Sequence, residues 1–342
     1  MSKNRQFRLA HRPVGFAKET DWDLVTEPLP EPGDGEFVVQ VQQLSVDPAM
    51  RGWMNAGKSY VPPVEIGAVM RAYGTGQIIA SRNPDYPVGE LVSGRFGVQE
   101  YALSDGRSDG CGVHRIDPQL QVPPSAYLGV LGLTGMTAYF GLFDVGLFRP
   151  GQTVVVTGAA GAVGSTVGQI VKLCGGTVIG IAGGPDKCRY VVDELGFDVA
   201  IDYKSENIRK ALRTHAPGGA NVFFDNVGGD ILDDGLLRLA PGARVVLCGA
   251  VSQYNSETGA QGPSNYLALL IQRARMEGFV ATDYEHRYSE AIEALARWLV
   301  EGKLVNVEDV VHDSILAFPT TLTRLFTGQN LGKQILDISG RE

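Results

Sequence analysis

The sequence predicts an α/β protein in which a doubly wound parallel sheet accompanies a separate, mainly β domain. Three observations carry this expectation. Strand and helix patterns alternate from Pro123-Pro124 to about residue 300, and alternation at this spacing makes βαβ units and a parallel sheet. The first third of the chain is broken by prolines and shows only β texture. A glycine-rich turn leads from the first strand of the alternating region into a helix, the place where such sheets hold a nucleotide phosphate.

In the first third, residues 36–42, 72–80 and 97–103 read as strands, and Pro28, Pro30, Pro32, Pro48, Pro62, Pro63, Pro84 and Pro87 interrupt any helical period. No helical pattern persists before about Ser125. In the alternating region the expected strands are 153–157, 177–182, 199–201, 221–225, 243–248 and 278–280. Helices fit between them at 162–173, 187–195, 207–214 and 231–238. The uncharged stretch 127–143 is shorter than the ~20 residues of a membrane span and is expected to form a buried helix between domains. The tail from about Val305 returns to mixed β texture, and 333–338 is expected to be a strand that rejoins the first domain. The expected division is a mainly β domain over 1–126, completed by 306–342, and a dinucleotide-binding domain over 127–305.

A length of 342 residues suits two domains, at a prior of about 150 residues each. The 44 glycines are roughly twice the usual ~7% share. The formal charge of −8 argues against nucleic-acid and anionic-membrane partners, which require basic faces. Met1 to Pro13 carries charge and no apolar core, so no signal peptide is expected. Cys111, Cys174, Cys188 and Cys248 lack the spacing of a disulfide framework or a zinc ribbon. Reduced thiols in a cytoplasmic protein are the simplest reading.

The strand Thr153-Val154-Val155-Val156-Thr157 runs into Gly158-Ala159-Ala160-Gly161-Ala162-Val163-Gly164. This is the dinucleotide fingerprint of a Rossmann sheet with its first glycine replaced by Ala159. Gly161 lets the backbone approach a pyrophosphate, and Gly164 lets helix and strand pack closely. An NAD site places an acid at the end of the second strand, ~20 residues on, for the ribose 2′-hydroxyl. Here that strand ends in Ala182-Gly183-Gly184, and Lys187 follows. The missing acid and the nearby cation favour NADP(H), whose 2′-phosphate the lysine can pair with. Asp186 has a separate explanation as a helix N-terminal acid.

The five histidines, His11, His114, His215, His286 and His312, have no metal-ligand spacing, so no metal site is expected. No Gly-x-Ser-x-Gly nucleophile elbow occurs. The chemistry is therefore expected from the cofactor, with the protein positioning substrate and stabilising charge.

A mainly β domain at both chain ends around a central Rossmann domain resembles the medium-chain dehydrogenase/reductase superfamily. The motifs resemble its zinc-free prostaglandin reductase / alkenal double-bond reductase branch. They run in order from Ser45-Val46-Asp47-Pro48-Ala49-Met50-Arg51 and Tyr60-Val61-Pro62-Pro63-Val64 through Gly135-Met136-Thr137-Ala138-Tyr139 and Asp225-Asn226-Val227-Gly228-Gly229. Cys248-Gly249-Ala250, Tyr254-Asn255, Arg275-Met276-Glu277-Gly278-Phe279 and Asn330-Leu331-Gly332-Lys333 complete the match over nearly the whole chain.

The resemblance implies a GroES-like catalytic domain beside the Rossmann domain, and roles for particular residues. Gly161, Ala162, Val163 and Gly164 would hold the pyrophosphate. Lys187 and Tyr203 would meet the 2′-phosphate and adenosine ribose, unless Tyr203 is a strand-end surface residue. Asn226 would stand where dinucleotides lie. Cys248, Gly249, Ala250, Val251, Ser252, Gln253 and Tyr254 would run beside the ribose and nicotinamide. Phe279, Val280 and Ala281 would reach the nicotinamide amide, with core packing as the other reading of the Phe279 ring. Asn330 would come from the returning C-terminal segment.

The activity implied is NADPH-dependent reduction of the carbon–carbon double bond of a small α,β-unsaturated carbonyl compound. Related enzymes pair through Rossmann-domain sheet edges, so a homodimer is expected. Several relatives carry a tyrosine five residues before the methionine of Met276-Glu277-Gly278-Phe279, where this chain has Ile271. Tyr60, Tyr254 and Tyr266 are the remaining candidates to stabilise the developing oxygen charge, and the cofactor ribose hydroxyl is another. Each tyrosine has an equal reading as pocket wall or core packing. A quinone reductase and a non-catalytic NADPH-binding protein are the alternative functions.

Overall fold

A computed structural model describes residues 3–107 and 112–340, so Cys111 lies outside the described residues. The chain forms two compact units, Met1–Gly129 with Glu308–Glu342 and Val130–Val307.

The first unit opens with an antiparallel pair, β1 (Lys3–Leu9) and β2 (Trp22–Pro28). The sequence reading missed this pair because the inward face of β1 is half polar. Asn4 and Gln6 are buried beside Phe7 and Leu9, and the Asn4 side-chain amide donates to Tyr101 O at 2.9 Å. The strand expected at 36–42 is β3 (Phe37–Ser45). After it come α1 (Ala49–Trp53), β4 (Gly74–Ser81), β5 (Leu91–Gly94), β6 (Tyr101–Ser104) and β7 (His114–Arg115). Helix α1 is too short to leave a helical period, which is why the sequence showed none before Ser125. The strand expected at 97–103 begins only at Tyr101, because Gly97 turns the chain with a φ of +76°.

The second unit begins with α2 (Leu133–Phe140) and a π-helical turn, Gly141–Val145. The single buried helix expected over 127–143 is therefore three pieces, a 3-10 turn at Pro124–Tyr127 being the first. Its glycines explain the breaks: Gly132 takes an extended conformation at the N-cap of α2, and a Cβ on Gly141 would come within 2.6 Å of the Phe279 ring.

There follow β8 (Thr153–Thr157), α3 (Ala162–Leu173), β9 (Thr177–Ala182), α4 (Pro185–Asp193), β10 (Val199–Asp202) and α5 (Ile208–His215). The second half repeats the pattern with β11 (Ala220–Asp225), α6 (Gly229–Leu236), β12 (Leu239–Leu247), α7 (Leu267–Gln272), β13 (Arg275–Gly278) and α8 (Tyr288–Val300). Among the described residues these strands form a six-stranded sheet in the order β10-β9-β8-β11-β12-β13, parallel throughout. The order reverses between β8 and β11, the topological switch point of a doubly wound sheet. Val155, Ile179, Ile181, Phe223 and Val245 are buried in its core.

The chain then returns to the first unit through β14 (Glu308–His312), α9 (Phe318–Phe326) and β15 (Lys333–Asp337). As expected for this run, β15 joins the β-rich unit, antiparallel to β3 with Ile335 opposite Ser45. Two contacts fix it there. Lys333, 2% exposed, donates to Asp47 Oδ1 at 2.5 Å. Phe318 of α9 packs edge-on against Trp22 with ring centroids 5.2 Å apart and lies 5.6 Å from Phe7. Such aromatic pairs contribute ~1 kcal/mol each beyond burial.

Candidate active site

The C-terminal ends of the parallel strands carry nearly all of the residues expected to hold a dinucleotide. Gly161–Gly164 follow β8, Lys187 follows β9, Tyr203 follows β10, Asn226 follows β11, Cys248–Tyr254 follow β12 and Phe279–Ala281 follow β13. Ligands of open α/β sheets lie along this edge.

Gly161 is the N-cap of α3, and no side chain caps the helix. The first-turn N–H groups of Ala162, Val163 and Gly164 are thereby available to an anion at the positive end of the helix dipole. Gly164 is required by contact: a Cβ there would lie 2.3 Å from Gly158 O. Ala159, which replaces the first glycine of the fingerprint, is accommodated by its neighbour. A Cβ on Gly180 of β9 would lie 2.8 Å from the Ala159 methyl, so the glycine on β9 makes the room that Ala159 fills.

The turns beyond β8, β11 and β12 are joined by one hydrogen-bond network. The Asp225 carboxylate is fully buried. It accepts from Thr157 Oγ1 at 2.7 Å, from Val227 N–H at 3.1 Å and from Gly228 N–H at 3.0 Å. Burial raises the Asp225 carboxyl above its ordinary value, and these donors oppose the rise. Thr157 also accepts from Asn226: its Oγ1 takes the backbone N–H at 2.8 Å and its carbonyl takes the side-chain amide at 2.7 Å. The Asp225 carbonyl accepts from Cys248 and Gly249 N–H at 2.9 and 3.1 Å.

From there the 248–254 segment lies along the β11 turn. Val251 N–H donates to Asn226 O, and Ser252 donates to Val227 O through both its N–H and its hydroxyl. Gln253 is used to hold the loop, exchanging hydrogen bonds with the Gln261 backbone. Burial and the Asp225 carboxylate push the Cys248 thiol up to about 12, so at neutral pH it is not a thiolate nucleophile.

The adenosine end is shaped differently. The ring of Tyr203 lies over Gly183, where a Cβ would come within 2.8 Å of it. Lys187 is half-buried in the first turn of α4. The N-cap of α4 is Gly184 and has no side-chain cap. Asp186 stands in the first turn of α4, as expected of a helix N-terminal acid, and pairs with Arg189 rather than capping the helix through its side chain.

The three candidate tyrosines stand in different segments of the chain. The Tyr254 hydroxyl accepts Ala250 N–H at 3.2 Å and so belongs to the β12 turn. Tyr60, in the first unit, accepts from Trp53 Nε1 at 3.3 Å and is 58% exposed. Tyr266 precedes α7 at 60% exposure, and its hydroxyl makes no hydrogen bond among the described residues. Asn330, also in the first unit, donates its side-chain amide to Gly332 O at 3.1 Å. The Phe279 ring packs in an aromatic cluster with Tyr284 and against Gly141. It is a packing residue at the strand end, with the backbone of Val280 and Ala281 following.

Sequence reasoning gave no role to Thr157 or Asn255. Thr157 closes the expected first strand, but only the fold shows its hydroxyl bridging to β11. Asn255 Oδ1 is buried without a hydrogen-bond partner among the described residues. A buried acceptor left unmatched costs about 1–3 kcal/mol, and a ligand donor beside the 248–254 segment would satisfy it. With the Gly164 contact and the uncapped α3, this unmatched oxygen fits a dinucleotide along the edge.

Comparison with known proteins agrees with this geometry. Residues 5–109 match the family model described as the N-terminal domain of oxidoreductase, and residues 162–297 match the one described as zinc-binding dehydrogenase. The chain is 39% identical to the NADPH-dependent curcumin reductase of Escherichia coli, over 99% of this chain and 98% of that protein. It is 38% identical to the NADP(+)-dependent 2-alkenal reductase of Nicotiana tabacum, over 98% of each. The crystal structure of CurA from Vibrio vulnificus in complex with NADPH superposes with a TM-score of 0.91 at 40% identity, covering 98% of this chain and 100% of that one.

The chain belongs to the medium-chain dehydrogenase/reductase superfamily.

Within the superfamily it falls in the branch of prostaglandin, alkenal and curcumin reductases. One of the matching superfamily models carries zinc in its description. Among the described residues of this member, no group of three or more His, Cys, Asp or Glu is arranged to hold a metal ion.

The Thr157 bridge is open to test. Thr157→Val keeps the β-branched shape but leaves Asp225 and the Asn226 N–H each short of a partner. Urea denaturation is expected to show a loss of about 1–3 kcal/mol, with faster amide exchange at Val227 and Gly228. An unchanged midpoint and unchanged exchange would show that the bridge is not needed.

Proposed function

We propose that this chain reduces the carbon–carbon double bond of α,β-unsaturated ketones and aldehydes, with NADPH as hydride donor. The observation that carries the reading is the row of dinucleotide-fitting groups along the C-terminal edge of the parallel sheet, from Lys187 and Tyr203 to Val280 and Ala281. The curcumin, alkenal and prostaglandin reductases named among its relatives support the substrate class. The absence of a carboxylate at the end of β9, with Lys187 following, favours the 2′-phosphorylated cofactor.

Bound NADPH supplies a hydride, and the protein supplies position and electrostatics. The first-turn N–H groups of α3 would hold the pyrophosphate. The amide side chains of Asn226 and Asn255 would orient the cofactor's ribose and nicotinamide end. A conjugated carbonyl draws charge away from its β-carbon, so a hydride would add there and the charge would move to oxygen. That oxygen then needs only a hydrogen-bond donor. Tyr254, whose hydroxyl accepts Ala250 N–H in the turn after β12, is the first candidate for that donor. Tyr60 and Tyr266 are the other candidates in this reading. No metal is required, since the conjugated substrate carries its own activating carbonyl.

The same reading places the protein in the cytoplasm as a homodimer. Cys174, Cys188 and Cys248 are free thiols, and no helix among the described residues is long and apolar enough to cross a membrane. Strand β13 is an edge of the parallel sheet. Beside it, Leu267, Leu270 and Ile271 of α7 are 56%, 76% and 67% exposed. A two-fold pairing of these edges would cover them.

Four measurements test these readings. Lys187→Ala is expected to raise KM for NADPH about ten- to hundredfold and to change KM for NADH far less; equal use of both cofactors by the wild type refutes the choice of NADPH. With NADPH deuterated at the transferred position and an enone, deuterium is expected on the β-carbon with the carbonyl intact. An allylic alcohol labelled at the carbonyl carbon refutes double-bond reduction. In the same assay Tyr254→Phe is expected to slow turnover at least about tenfold, and Tyr60→Phe and Tyr266→Phe serve for comparison. Light scattering at micromolar concentration is expected to give the dimer mass, and a monomer mass refutes the assembly.

A further inference from the structure

The sequence lacks an acid at the end of β9, but the fold brings one there from the neighbouring strand. Asp202, the last residue of β10, pairs with Ala182, the last residue of β9. An acid in this neighbourhood is what an NAD site uses to accept the ribose 2′-hydroxyl. Asp202 is not available for that. Its Oδ1 accepts Gly184 N–H at 2.7 Å and Lys204 N–H at 3.0 Å, and its Oδ2 accepts the Ser205 hydroxyl at 2.9 Å. The residue is only 9% exposed, and its own N–H donates to Glu206 Oε1 at 2.8 Å.

These bonds set two loops. Gly184 has a φ of +97° and is the N-cap of α4, so the bond from its N–H fixes the point where α4 and Lys187 begin. The bonds to Lys204 and Ser205 fold the chain tightly after β10. That fold holds Tyr203 with its N–H on Ala182 O at 3.1 Å and its ring over Gly183. The Gly184 N–H, foremost among these donors, also lowers the Asp202 pKa, so the carboxylate stays ionised and keeps its partners.

We propose that Asp202 is a positioning residue that sets selectivity for the 2′-phosphorylated dinucleotide, by locking the ends of β9 and β10 so that Tyr203 covers Gly183 and Lys187 opens α4. The proposal rests on the reading that the cofactor is NADPH. It makes geometry, and not the negative charge, the contribution of this side chain.

Two substitutions separate geometry from charge. In Asp202→Asn the amide oxygen can accept both N–H groups, and the amide nitrogen can donate to Ser205 Oγ once that hydroxyl rotates. The loops then survive without the charge. Asp202→Ala removes the loop bonds altogether. The probes are adenosine 2′,5′-bisphosphate and 5′-AMP, which differ only in the 2′-phosphate, titrated calorimetrically into the full chain.

Asp202→Ala is expected to weaken bisphosphate binding about tenfold and 5′-AMP binding less than about threefold, while Asp202→Asn stays within about threefold of wild type for both. Unchanged or tighter bisphosphate binding by Asp202→Ala overturns the proposal, and so does Asp202→Asn binding as weakly as Asp202→Ala. If Asp202→Ala does not fold by circular dichroism, Ser205→Ala takes its place, with an expected loss of about threefold for the bisphosphate alone; no loss overturns the proposal. A wild type that does not distinguish the two probes refutes the cofactor reading, and the proposal falls with it. A wild type that distinguishes them while the Asp202 variants behave alike refutes the proposal only.

Discussion

The hydrogen bond between Thr157 Oγ1 and the buried Asp225 carboxylate is the constraint on which the candidate site depends. A doubly wound sheet opens a crevice where its two halves meet, and the loops on either side have no reason of their own to stay in register. Here the last residue of β8 is joined to the last residue of β11, and the Asp225 carbonyl extends the join to β12 through Cys248 and Gly249. Isolating a carboxylate from water is costly, and the rise of the Asp225 pKa reflects it. Three donors around that carboxylate offset the cost only when the end of β8 and the turn after β11 are both in place. The bonds that stabilise Asp225 and those that align the cofactor edge are therefore the same bonds.

The first unit is held by a different device. Its two chain segments are far apart in sequence, yet Lys333 reaches Asp47 and Phe318 reaches Trp22 and Phe7. A buried ion pair is poor as a source of net stability but severe on misregister, since either partner left alone is an uncompensated buried charge. The aromatic contacts supply attraction and the ion pair supplies register. Asp47 and Lys333 stand in the first and last motifs of the family resemblance, so the run of matched residues begins and ends on one contact.

Much of the Rossmann unit was legible because its inner strands are continuous apolar runs flanked by glycine or charge. Residues 153–157 and 177–182 were placed to the residue, and the helix 162–173 with them. Legibility fell off at the sheet's margin. Strand β13 spans Arg275–Gly278, three residues before the expected 278–280, because an exposed edge strand has no apolar run to mark it. Strand β12 starts at Leu239, earlier than the expected 243, with Pro241 inside it and a register shift against β11. In the site, the glycines and Lys187 were readable from spacing to the fingerprint. Asp202 was not, because its partner Gly184 lies 18 positions away and meets it only through strand pairing. The tyrosines were the least legible, since a hydroxyl's use depends on what faces it and not on its place in the chain.

The pairing of Ala159 with Gly180 bears on how such proteins are found. The first position of the dinucleotide fingerprint is written as a glycine, yet here a methyl is admitted because the neighbouring strand β9 carries a glycine opposite it. In this chain the vacancy sits at Gly180 on β9 and the methyl at Ala159 in the turn after β8. The motif is thus distributed over two segments of sequence, and neither one alone spells it. Two chains can hold the same crevice with the small residue on opposite sides. A side chain at position 180 would meet the Ala159 methyl, so Gly180 cannot enlarge while Ala159 keeps its place.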